Sequence, residues 1–180
     1  MSLPLRKTSP QHQSNGQASF DNIVHHIETG NTEEAASLLK QFAFEGLRPE
    51  DALMARALAL QLSVDRGQHI EALFHADAAL EITEEEPLIF HLMGQALWAT
   101  DYLRAGAEAL VRAAELFETI EAGDRKTNLP VDALAIYFMA GEACKHFKQY
   151  EAALSFFQKA LHHNPELEEI THEISALKNN

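Results

Sequence analysis

The sequence holds a single cysteine, a single tryptophan and 8 glycines among 180 residues, and its β-branched residues are sparse beside abundant alanine and leucine. A lone Cys144 excludes an intramolecular disulfide; it reads as a small buried hydrophobe in a protein of a reducing, cytoplasmic compartment. The shortage of Val, Ile and Thr against so much Ala and Leu points to helices, where Ala and Leu lose little conformational freedom. No apolar run approaches the ~20 residues of a membrane-spanning helix. The opening "MSLPLRKTSPQHQSNGQA" has neither an acid nor an apolar stretch. It does not fit a secretory signal and reads as a flexible tail over residues 1–18.

Acid is what the remainder has in excess. Residues 19–180 carry all 27 acids and 12 of the 14 bases, the other two being Arg6 and Lys7, for a net charge of −15. Such a body repels a phosphate backbone or an anionic lipid surface, so no nucleic-acid or membrane partner is expected. Basic or neutral polypeptides are the favoured partners.

Chemistry-bearing motifs are missing as well. The 10 histidines do not converge: His25–His26 and His162–His163 are adjacent pairs about 100° apart on a helix, and His69 and His75 also face apart. "HEISA" at 172–176 lacks the second histidine of a zinc-protease helix, and there is no Gly-rich phosphate loop or nucleophile elbow. The expectation is a non-enzyme with no catalytic residues, no metal and no cofactor.

What is present is a repeated grammar of small and aromatic residues. Between 134 and 167 it runs Tyr137, Gly141, Tyr150, Ala153, Phe157, Ala160 and Pro165. Residues 87–120 repeat it with Phe90, Gly94, Gly106, Leu110 and Ala113, and residues 53–86 with Ala72, Ala76, Ala79 and Leu80. Small residues let two helices approach and large ones fill the space beside them. The pattern resembles the tetratricopeptide repeat, departing from it at Arg56 and Leu60, at Gly106 and Leu110, and at Cys144. The resemblance implies an all-α fold: a superhelical stack of antiparallel helix hairpins, a TPR-like α-solenoid. An N-terminal hairpin over 19–46 precedes the three repeats, and an amphipathic capping helix over 166–178 follows them, within one domain over 19–180. The segment 121–133, "EAGDRKTNLPVDA", interrupts the array as an insertion loop, either plain or folded over a groove.

The same resemblance implies a function: the first helix of each repeat lines a concave groove that binds a peptide or helix of a partner protein. Its groove positions fall on Met54, Ala57, Gln61 and Val64; on Leu88, His91, Gln95 and Trp98; and on Ala135, Phe138, Glu142 and Lys145. Of these, Met54, Gln61, His91, Gln95, Trp98, Phe138, Glu142 and Lys145 are the candidate contacts. Trp98 either meets the ligand or is buried between repeats. The cations that relatives use to hold a carboxylate tail are absent: Ala57, Gln61, Leu92, Ala135 and Met139 stand in their places. The groove therefore suits an apolar segment with a polar or basic flank. The expected role is an adaptor or scaffold, with a homodimer open. The alternative is a small acidic chaperone similar to those of bacterial type III secretion, holding apolar segments of a secreted client.

Overall fold

A computed structural model describes residues 11–178 except 43, 45 and 128, with side chains from residue 20 onward. All regular structure among the described residues is helical: α1 (Gln11–Glu28), α2 (Thr32–Gln41), α3 (Pro49–Asp65), α4 (His69–Leu80), α5 (Pro87–Ala99), α6 (Leu103–Glu121), α7 (Ala133–His146), α8 (Tyr150–His163) and α9 (Glu168–Lys178). The all-α expectation holds. Helix α1 begins at Gln11, so residues 11–18, read above as part of a tail, are helical; the rest of that tail, 1–10, lies outside the described residues. The described residues divide into two compact units inside α3, a first unit up to Ala55 and a second from Arg56 onward.

In the first unit α1 and α2 form a hairpin. Ile23, Ala35, Ala36 and Leu39 are buried, and Phe42 packs on Phe20 and edge-on to Phe44. In the second unit each helix from α4 to α9 packs on the next along the chain, the pattern of a stack of hairpins. Helices start where the chemistry favours it. Pro87 occupies the first turn of α5, where its missing N–H costs nothing. The Asp132 carboxylate accepts from the Ala135 amide at 3.1 Å as the N-cap of α7.

Among the described residues one turn geometry recurs in four hairpins, α1–α2, α3–α4, α5–α6 and α7–α8. The amides of Asn31, Gln68, Tyr102 and Gln149 donate to the carbonyls of His26, Ser63, Leu97 and Cys144 five residues earlier, at 2.8–3.0 Å. The residue before each of these amides, namely Gly30, Gly67, Asp101 and Lys148, has positive φ. This double hydrogen-bonded C-cap satisfies carbonyls the helix end would leave bare. Gly67 and Asp101 lie 34 positions apart, and Lys148 follows 47 later, the difference being the length of the 121–133 segment.

Close approach explains other small residues. A Cβ on Gly106 would lie 3.0 Å from the Trp98 backbone nitrogen and 3.1 Å from the Gly94 carbonyl oxygen, so α5 and α6 nearly touch there. A Cβ on Gly141 would lie 2.7 Å from the Phe157 ring. Tyr137 and Phe157 are fully buried in a core that α9 closes with Ile170 and Ile174. Polar pins cross it: the Tyr137 hydroxyl donates to Glu121, and His163 Nε2 lies 2.9 Å from the other Glu121 oxygen.

Between α6 and α7 the chain leaves helical geometry and lies against the α4–α5 turn. The Thr127 hydroxyl donates to Glu86, Arg125 pairs with Glu85 at 3.3 Å, and Leu129 is buried. Among the described residues no helix is long and apolar enough to cross a membrane.

Candidate functional site

Helices α5 and α7 are the first helices of consecutive hairpins, and α6 packs on both. Toward their C-terminal ends they border an open cavity of about 350 Å³, lined by Trp98 of α5, Leu110 of α6, and Met139, Glu142, Ala143, Lys145 and His146 of α7. The glycine contact between α5 and α6 fixes this wall, since Gly106 lies directly against the Trp98 backbone. Trp98 is half-buried and presents its ring edge-on to His146, centroids 5.2 Å apart, and to Phe147 at 6.5 Å. Leu110 forms the floor with Ala107 and Ala143, while Met139 packs beside them. An unbranched thioether next to an indole makes an apolar wall that adapts its shape.

The polar rim is a three-membered ion cluster. Lys145 Nζ lies 2.6 Å from a Glu142 oxygen and 2.8 Å from a Glu173 oxygen of α9. Burial alone would lower the Lys145 pKa, but the two carboxylates outweigh it and raise the value above that of a free lysine.

The eight candidate contacts separate into groups. Trp98, Glu142 and Lys145 come together on the cavity. Phe138 is half-buried and tilts against Phe157 at 5.8 Å, packed on the main core. His91 is only 5% exposed and so closed off from a ligand in this conformation. Its Nε2 lies 2.7 Å from the Gln95 amide nitrogen, while its Nδ1 has no hydrogen-bond partner among the described residues. Burial pushes the His91 pKa down to about 4, partly countered by Asp132, so the ring is neutral at pH 7. Gln95 is half-buried on the same face of α5. Gln61 donates to Asp65 on its own helix, at 2.8 Å. Met54 is half-buried in the first unit, and the cavity lies wholly within the second.

Sequence reasoning missed Met139 and His146. Each follows a groove position (Phe138, Lys145) by one residue, and helical rotation turns these neighbours toward α5. In the sequence Met139 stands out only as the occupant of an absent carboxylate clamp. Cys144 is 2% exposed and burial raises its thiol pKa, which suits packing and not reactivity.

No protein-family profile matches the chain, and no curated protein does either. Solved structures do. One structure of MamA superposes with a TM-score of 0.69 at 14% identity, covering 91% of this chain and 81% of MamA. A second MamA structure gives 0.65 at 15% identity, with coverage of 86% and 81%. The protein pilF of Pseudomonas aeruginosa gives 0.63 at 16% identity, covering 92% of this chain and 68% of pilF. At such identities the likeness speaks for architecture alone. Both neighbours are tetratricopeptide-repeat proteins, and this chain shares their helical-repeat fold.

Proposed function

We propose that this protein is a non-catalytic interaction module, an adaptor or scaffold, which holds a segment of a partner protein along α5 and α7 and seats one large apolar side chain of that segment beside Trp98. The observation that carries this reading is the cavity. Its walls are Trp98, Leu110, Met139 and Ala143, and its charged groups are engaged with one another. At about 350 Å³ it falls at the small end of the roughly 300–1,000 Å³ of ligand pockets, a size for one or two side chains. Partly exposed tryptophan in a concave apolar site is the residue type that dominates binding energy at interfaces. Repeat proteins of this architecture are typically interaction modules, which agrees with a site that offers walls in place of a reacting group.

The test is capture from a lysate of the native host by the wild type and by Trp98→Ala, with circular dichroism checking that both remain equally helical. A partner held by the wild type and lost by at least ~30-fold in the variant, the scale of an interface hot spot, supports the reading. Equal capture contradicts it. A folded soluble partner marks an adaptor, whereas a secreted apolar client marks a chaperone.

A further inference from the structure

Resting on the cavity reading above, we infer that the partner segment carries an arginine or lysine beside its apolar anchor, and that Lys145, by neutralising part of the charge of Glu142 and Glu173, tempers their pull on that cation. The charges at the rim are already engaged with one another. Lys145 is the one cation of the cluster, and it is held by two carboxylates at once, Glu142 at 2.6 Å and Glu173 at 2.8 Å. A partner carboxylate arriving at the rim would meet an ammonium that is already neutralised, together with one uncompensated negative charge. A partner base meets the opposite situation. Glu142 engages Lys145 through Oε1 and Glu173 through Oε2, and a carboxylate accepts more hydrogen bonds than one ammonium supplies. A guanidinium can therefore join the pair without first breaking it, in the planar, two-pronged geometry carboxylates favour.

Position couples the two features. Glu142 and Lys145 line the cavity itself, and Glu173 reaches the same ammonium from α9. A side chain seated against Trp98 thus brings the flanking residue of its segment to this rim. Lys145 and both glutamates are one-quarter to one-third exposed, so the pairing is screened less than at an open surface and remains reachable. The whole chain adds to the same sign, with a formal net charge of −13, which draws basic segments inward over longer distances. Lys145 then sets selectivity: while it occupies the carboxylates, a weakly basic segment gains little, and a well-placed arginine gains most.

The experiment is selection of a displayed random nonapeptide library on the immobilised full chain. The proteins compared are the wild type, Trp98→Ala, Lys145→Met, Lys145→Arg and the double variant Glu142→Gln/Glu173→Gln, each checked for unchanged helicity. Wild type is expected to enrich peptides with a large apolar residue and an arginine or lysine within two positions of it. Lys145→Met should sharpen the preference for the base by roughly tenfold, about the worth of one charge-assisted hydrogen bond. Lys145→Arg, which keeps a cation between the two carboxylates, should select as wild type does. The double glutamine variant should keep the apolar anchor and lose the base. Anchored peptides with no charge preference, or with acids beside the anchor, overturn the inference and leave the cavity reading standing. Peptides matching those selected by Trp98→Ala, or no enrichment at all, overturn both.

Discussion

His91 stands on α5 with one ring nitrogen against Gln95 and the other without a partner among the described residues, in surroundings that hold its pKa near 4. An unfolded histidine titrates near 6.5. Between these values only the unfolded chain takes up the proton, so stability attributable to His91 rises with pH across the window and is lost as pH falls through it. The full span is worth up to about 3 kcal/mol. Urea unfolding of wild type and His91→Leu at pH 4, 5, 6 and 7 should show the variant gaining on wild type toward acid. A difference independent of pH would contradict the burial argument. The residue scale is also where legibility was most uneven. The repeat register placed Trp98, Glu142 and Lys145 on helix faces that meet at one cavity. It also selected His91 and Phe138, because a register gives a direction around the helix and says nothing of how deep the neighbours press. Phe138 lies on Phe157 and His91 under its surroundings, and only packing decides that.

At the scale of elements the four hairpins share one cap, yet they fill its left-handed position with different residues: Gly30 and Gly67, but Asp101 and Lys148. Glycine adopts that conformation freely, whereas a residue with a Cβ is strained there and aspartate tolerates it better than lysine. Lys148→Gly should stabilise the second unit by about 1 kcal/mol and Asp101→Gly by less, after the greater flexibility of unfolded glycine is offset. Rising urea midpoints would confirm the strain; unchanged or lower midpoints would contradict it. The helices themselves were readable, since alanine and leucine content, Pro87 and the small–aromatic grammar all mark them. Residues 11–18 were not. They carry glutamine, serine and asparagine with no apolar stripe, so periodicity has nothing to register. Once the apolar stretch through Ile23 and Ile27 has formed a helix, adding turns to it is cheap. Arg56, a departure from the repeat pattern, finds its place beside aromatics: its guanidinium lies 5.7 Å from the Phe74 ring centre and 3.2 Å from His75 Nδ1.

Among the described residues of the acidic second unit, side chains of two successive hairpins face each other across an apolar cavity that a ligand could fill. The hairpin stack was legible because repeats restate the same physical problem at a fixed interval. The cavity was legible only in part, because it depends on how far Gly106 lets α5 and α6 approach and on which α7 side chains that distance turns inward. The proposed seat of the partner side chain is the face of Trp98. The chain's single tryptophan makes the decisive measurement simple: follow the one indole N–H signal in a ¹⁵N–¹H correlation spectrum as the captured partner is added. This signal is expected to move or broaden in step with binding, together with backbone signals of Met139, Glu142 and His146. An indole signal that stays in place while the partner saturates the protein would place binding elsewhere and contradict the account.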